Sequence, residues 1–458
     1  MGAIPGALAT DEQPPMTVPL RHFVVGLGFL VAGGLVGTSD ALGVLPGSST
    51  LAHVHLLLVG WVCLTIMGAM TQFVPVWSGT SLHSKRLSTV QLWLVTAGLV
   101  GFVGSLLGGT YGWLPAFGVL MLAGFWIFVY NVARTLGGAR PWDVTERHFA
   151  LALGFFVLVT VFGVTLAVSY ARPLPPGVPF TRTTLRTTHA TLAVFGAVLT
   201  TVLGALYQLG TMFTQSDLHG IDGPLRRIEE VGYPAGVVLL ATGRLFARPA
   251  VGRVGALLVV AGLFAFGVIL ARRLHETSVA WTPMLVRYAV VAVAMVAWAA
   301  LAAPAWYADP LGPDALFGSP ALSHLLLFGV VGFVVIGTLY HVVPFIVWVH
   351  RYGDALGLGD VPMIDDLYDD GLATVDFVLV LAGCATLVVA EGFSLPRTVT
   401  AVGGILAVSG FLVFAANLLL VVRTHAPDPL PVLLTGGRPS IRDDAGDGSA
   451  EGRRDVRE

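Results

Sequence analysis

The chain has 458 residues, of which 55% are hydrophobic and 11% are charged, and its formal net charge is -2. Such an apolar composition excludes an ordinary soluble globular protein and is typical of a protein that crosses a membrane many times. The near-neutral charge gives no reason to expect a nucleic-acid partner. The cysteines Cys63 and Cys384 form neither a CxxC nor a CxxCH motif, which argues against covalently attached c-type haem.

Apolar runs of about 20 residues, long enough to cross a bilayer, follow one another along most of the chain. We count twelve, near 22–44, 51–77, 89–108, 112–135, 149–171, 187–213, 230–247, 251–271, 284–305, 321–349, 372–391 and 398–422. Gly232, Pro234 and Arg244 interrupt the seventh run. We therefore divide the chain into a cytoplasmic N-terminal segment (1–21), a membrane domain (22–425) and a disordered cytoplasmic tail (426–458).

Basic residues indicate the orientation of these runs. Lysine and arginine are concentrated in the loops that follow even-numbered runs, although the loops after runs five and seven also contain arginines. By the positive-inside rule, both termini face the cytoplasm. We expect a multi-pass protein embedded in the lipid bilayer of the inner or plasma membrane.

Runs two, six and ten share a repeated pattern. His53 and His189 are each followed by glycine 7 and 15 residues later. In run ten the same two glycines follow Leu322, so His324 matches His55. Because these runs are four apart, we predict an all-α fold of three four-helix units related by a pseudo-threefold axis. The glycines would let neighbouring helices pack closely.

The histidines of this repeat are the candidate functional residues, because ionisable side chains inside a bilayer are rare and usually functional. Residues two apart on an α-helix differ by about 200° in direction, so His53 and His55 should face opposite sides. Paired histidines at one depth suit axial ligation of a haem iron. Structural histidines bonded to backbone carbonyls are the plainer alternative. A proton relay is a third, but no intramembrane Asp or Glu lines up with them.

The pattern in runs two and ten resembles the haem-copper oxidase subunit I superfamily. His324 precedes Gly337 and Pro344 at a spacing similar to that of the family's tenth helix. Members have twelve helices in a pseudo-threefold arrangement, with a low-spin haem between histidines of the second and tenth helices. The resemblance implies that His53 and His324 are the axial ligands of a low-spin haem b.

Rotating this pair about the predicted threefold axis gives two further positions. The first is His55 with His189, which we predict to be a second haem or metal site. The other is Thr191 with Leu322, which cannot ligate haem, so we expect the third pore to be empty.

The chain also departs from the superfamily. Leu322 stands where the high-spin haem ligand should be, Ala193 stands where a tyrosine is usual, and run seven has no histidine pair for copper. The usual oxygen-reducing centre is therefore expected to be missing. Whether the chain binds copper is left open, because the usual copper ligands are absent. The phrase "GAMTQFVPVWSG" is also similar to the NnrS-like haem- and copper-containing proteins, and "YHVVPFIVWVHRYG" to small stand-alone oxidase-subunit-like proteins.

These observations predict a membrane protein with haem b, acting in electron transfer or in nitric-oxide or oxygen-related haem chemistry. A cytochrome, a cupredoxin or a quinol would be its electron donor. Arg182 and Arg186 would pair with haem propionates, or would simply be solvated. The rival interpretation is a haem-free transporter or scaffold that keeps the fold. Whether the protein is an enzyme is left open, but it is not expected to be a standard proton-pumping terminal oxidase.

Overall fold

Long helices make up most of the computed structural model, which describes residues 13–139, 141–353 and 361–435. We number these helices in chain order and treat three consecutive segments, Asp222–Arg227, Ile228–Gly232 and Tyr233–Leu245, as α7. The helices are α1 (Thr17–Ala41), α2 (Ser49–Ser78), α3 (Lys85–Leu107), α4 (Tyr111–Leu136), α5 (Val144–Ala171), α6 (Arg182–Thr214), α7, α8 (Pro249–His275), α9 (Pro283–Ala308), α10 (Leu325–Tyr352), α11 (Asp370–Gly392), α12 (Arg397–His425) and α13 (Leu430–Thr435). The predicted all-α, multi-pass membrane fold is confirmed.

Within the described ranges, eleven helices are long and apolar enough to cross a membrane, against the twelve that the sequence predicts. Helix α7 is not apolar enough to be counted among them, because its first half carries Arg226, Arg227, Glu229 and Glu230. It is nevertheless helical from residue 222, earlier than predicted. The twelfth membrane crossing therefore stays a prediction.

The ends of the membrane domain differ from the predicted boundaries. Helix α1 begins at Thr17, so the last part of the predicted N-terminal segment is helical. The predicted disordered tail includes the short helix α13, in which Leu433 is fully buried. The carbonyl oxygen of Leu433 accepts a hydrogen bond from the side chain of Arg21, which ties this helix to α1. The remainder of the predicted tail, 436–458, lies outside the described residues.

The helices form a closed ring of three units. In each unit the first helix packs on the second and the third packs on the fourth. Neighbouring units meet through α4 with α5, α8 with α9, and α12 with α1. The second helices, α2, α6 and α10, form the centre: 67%, 83% and 78% of their apolar stretch is buried, against 61% or less in the other spanning helices.

Each central helix contains a π-helical segment at the same position of the repeat. The segments are Leu56–Cys63, Leu192–Leu199 and Leu325–Gly332. Each begins three residues after His53, His189 or Leu322. Because π-helical turns inside α-helices are rare and frequent at functional sites, they mark the histidine ends of the central helices as the region to examine.

Close helix packing explains the second glycine of the repeat. A Cβ atom on Gly68 would lie 2.7 Å from the Cβ of His22, and one on Gly204 would lie 2.5 Å from the Cβ of His148. Real Cβ atoms do not approach so closely. These contacts place the first helix of a unit directly against its second helix, as the sequence predicts.

Candidate functional site

The central helices enclose three spaces near their histidine ends. We call the space between α2 and α10 pore A, that between α2 and α6 pore B, and that between α6 and α10 pore C. His53 and His324 belong to pore A, His55 and His189 to pore B, and Thr191 and Leu322 to pore C. The three spaces are filled very differently.

Pore B contains a cavity of about 460 Å³, within the size range of pockets that hold drug-sized ligands. Helices α2 to α6 and the loop before α10 line it, mostly with apolar and aromatic side chains. Both histidines of the predicted pair, His55 and His189, face this cavity. Arg186, Tyr170 and Asp314 add polar groups to its wall.

Both pore B imidazoles are held by backbone carbonyls. Nδ1 of His189 donates to the carbonyl oxygen of Val159 on α5 at 3.0 Å, and Nδ1 of His55 donates to that of Leu51 at 2.8 Å. A carbonyl can only accept, so the proton sits on Nδ1 in each ring, and the lone pair is on Nε2. This is the tautomer that a histidine needs if it is to ligate a metal through Nε2. The two rings lie close enough for a charge on one to affect the other.

A glycine makes room for each of the two histidines that begin the repeat. A Cβ on Gly163 would lie 3.0 Å from Cε1 of His189. A Cβ on Gly37 would lie 2.3 Å from Nδ1 of His53. Small residues on the first helix of each unit therefore let the imidazole lie flat against that helix.

Pore A brings together the other predicted pair. Nδ1 of His53 donates to the carbonyl oxygen of Gly33 at 2.7 Å, as His189 does to the equivalent position of α5. His53 and His324 lie close enough for a charge on one to affect the other. His53 and His55 thus face different pores, as their spacing predicts.

Sequence reasoning missed the partner of His324. Its Nδ1 lies 2.9 Å from the carboxylate of Glu391 at the end of α11. The expectation that no intramembrane Asp or Glu lines up with the histidines is therefore wrong. Since 67 residues separate the two in sequence, no local pattern could have paired them. In the sequence, the indication was Glu391 itself, a carboxylate at the last position of the eleventh apolar run.

Protein side chains occupy pore C, the position at which the sequence predicts no haem ligands. Arg244 of α7 donates to Thr191 at 2.7 Å and to the carbonyl oxygen of Pro310 at 3.0 Å. Its guanidinium lies 5.4 Å from the ring centre of Trp306, which is fully buried. A buried guanidinium needs such hydrogen-bond acceptors.

The histidines thus come in pairs. Among the residues that the structure describes, no three His, Cys, Asp or Glu side chains converge as a metal site made only of protein ligands would require. A haem needs only two axial ligands from the protein, because the porphyrin supplies the other four. The two pore B imidazoles, each with its lone pair on Nε2 and both lining one largely apolar cavity, fit a haem better than a bare metal ion.

Comparison with known proteins gives one distant similarity. A stretch of 158 residues is 28% identical to the Cbb3-type cytochrome c oxidase subunit CcoN1 of Stutzerimonas stutzeri, covering 27% of this chain and 33% of that protein. The chain thus matches about a third of the length of this curated relative. No family model matches. The similarity supports the resemblance to oxidase subunit I at a distance.

Proposed function

We propose that this chain is a membrane haem protein in which pore B holds a haem b between His55 and His189. The cavity between these two residues is the observation that carries the proposal. Its apolar walls would bury a porphyrin, and Nε2 of each imidazole is available as an axial ligand. The bound group would supply one-electron redox chemistry.

Pore A is proposed as a second haem site, held by His53 and His324. Two observations support it: the rings lie close enough for a charge on one to affect the other, and the Nδ1 of each is already tied to a hydrogen-bond acceptor. Such partners outside the ligand set orient a ligating histidine and fix its tautomer. The distant similarity to an oxidase subunit is consistent with this arrangement.

With both axial positions filled by histidine, electron transfer is favoured over reactions of nitric oxide or oxygen, because those reactions need an open position on the iron. We propose a cytochrome, a cupredoxin or a quinol as electron donor. The orientation with both termini in the cytoplasm would place the histidine pairs toward the outer side of the inner or plasma membrane.

A reduced-minus-oxidised visible spectrum of the purified protein tests this proposal. We expect a b-type spectrum and two haems per chain in the native protein. His189→Ala should remove the pore B haem, and His324→Ala should remove the pore A haem. His350→Ala is the control, because His350 lies 26 residues beyond His324, near the opposite end of α10. A native protein without haem would favour the haem-free transporter or scaffold.

A further inference from the structure

Each unit also carries a pair of buried polar side chains. These lie near the ends of the central helices that are opposite the histidine pairs. On the first helix of each unit, the residue that packs on the second glycine is polar, and its equivalents are His22, His148 and Arg287. On the third helix, the equivalents are Gln91, Glu229 and Asp376, each seven residues before a glycine that packs on the fourth helix. The same two positions thus carry a different pair of polar side chains in each unit.

In the third unit the cluster is an ion pair. Arg287 donates to the carboxylate of Asp376, and so does the hydroxyl of Tyr340. Arg287 is 1% exposed and Asp376 is fully buried. Because arginine stays protonated in proteins, its positive charge favours the ionised carboxylate of Asp376.

In the first unit there is no acid. His22 and Gln91 occupy the equivalent positions, and both are buried. Nε2 of His22 and both polar atoms of the Gln91 amide have no hydrogen-bond partner among the described residues. This cluster is neutral. It contains no carboxylate that could share a proton with His22.

The second unit holds the titratable version. Nε2 of His148 lies 2.9 Å from one carboxylate oxygen of Glu229, and the hydroxyl of Tyr207 donates to the other at 2.7 Å. Nδ1 of His148 lies 2.7 Å from the carbonyl oxygen of Val144, so it carries a hydrogen. The 2.9 Å contact on the other side of the ring therefore needs one more proton, on either the imidazole or the carboxyl.

We infer that His148, Glu229 and Tyr207 form a proton-binding site inside the membrane domain, in which His148 and Glu229 share one exchangeable proton. With the proton bound, the site is neutral overall. When the proton leaves, a carboxylate faces an imidazole lone pair and the site carries one negative charge. Of the three equivalent clusters, this is the one in which an imidazole and a carboxyl group share a hydrogen bond.

The site lies close to a charged surface from which a proton can enter. Arg226 lies 5.8 Å from the ring centre of Tyr207 and pairs with Glu230 at 3.3 Å. Glu230 also pairs with Arg147, whose side chain is 47% exposed. Tyr233, which is also on α7, lies close enough to be affected by the charge of Glu229. Tyr207 is 18 residues beyond His189, roughly 27 Å along the helix, so the site is separate from the histidine pairs.

The repeat itself supplies the variants that test this inference. Glu229→Gln copies Gln91 of the first unit, and His148→Arg copies Arg287 of the third unit. Both keep a hydrogen bond across the pair, but neither leaves a shared proton. Glu276→Gln is the control, because Glu276 forms a 2.8 Å hydrogen bond with His219, whose side chain is 60% exposed.

The measurement is an infrared difference spectrum of the full-length protein in lipid, recorded between about pH 4 and pH 10. The native protein and the Glu276→Gln control should show the same titration of carboxyl and imidazole bands shielded from rapid deuterium exchange. Both repeat-derived variants should lose it. A native protein without such a titration, or a Glu229→Gln protein that retains it, would overturn the inference. Neither result depends on whether haem is bound.

Discussion

The imidazole of His324 and the carboxylate of Glu391 form a direct contact of 2.9 Å between α10 and α11. The other three histidines of the candidate site use backbone carbonyls at the same ring atom. A carboxylate partner increases electron density on a ligating imidazole more than a carbonyl does. The two proposed sites are therefore unequal electronically, although the repeat relates them.

Replacing Glu391 with Gln should raise the midpoint potential of the pore A haem. The amide still accepts a hydrogen bond from Nδ1 but carries no charge, so it stabilises the oxidised iron less. A redox titration followed by visible spectroscopy measures this potential. The pore B haem is the internal control and should not change. Full haem content with both potentials unaltered would argue against a role for Glu391.

Replacing Gly163 with Leu should close pore B while both proposed ligands stay in the sequence. A Cβ at this position already comes within 3.0 Å of the His189 ring, and the larger side chain would fill space that the porphyrin needs. We expect the loss of one haem per chain, measured by haem extraction and quantification. The control is Gly154→Leu on the same helix, because a Cβ there meets nothing within 4 Å. Equal haem content in the two variants would contradict the assignment of pore B.

Arg186 should contribute to haem retention, because it lines the cavity and is exposed at its wall. A charge-assisted hydrogen bond to a propionate is worth about 1.5–3 kcal/mol, so Arg186→Gln should weaken retention roughly 10- to 100-fold. Haem transfer to an excess of an apo-protein acceptor measures this as a faster loss. Arg182→Gln serves for comparison, because Arg182 is already bonded to the carbonyl of Ser169. Identical rates of loss from native protein and Arg186→Gln would exclude the propionate contact.

Arg287→Ala should destabilise the protein strongly. It leaves the carboxylate of Asp376 buried without its counter-ion, which typically costs about 3–5 kcal/mol. Thermal unfolding in detergent should therefore show a clearly lower Tm. Arg86→Ala, at an exposed position at the start of α3, should change stability by no more than about 0.5 kcal/mol. Similar Tm values for the two variants would mean that the buried pair does not stabilise the fold.

The sequence predicts features that depend on spacing along one helix. The membrane-spanning helices, the glycine contacts and the opposite directions of His53 and His55 all follow from helix geometry. The partner of His324 and the filling of pore C by Arg244 do not, because each depends on how distant helices pack. The polar clusters could not be predicted for the same reason. Glu229 lies in a helix with a weak hydropathy signal, and its partner His148 is 81 residues away in the sequence.

The most direct test of the proposed function is a high-resolution density map of the purified protein in lipid. We predict planar density between His55 and His189 in pore B, with iron bonded to Nε2 of both, and equivalent density between His53 and His324. Lipid or water in pore B, with the two imidazoles bonded only to their backbone carbonyls, would contradict the account.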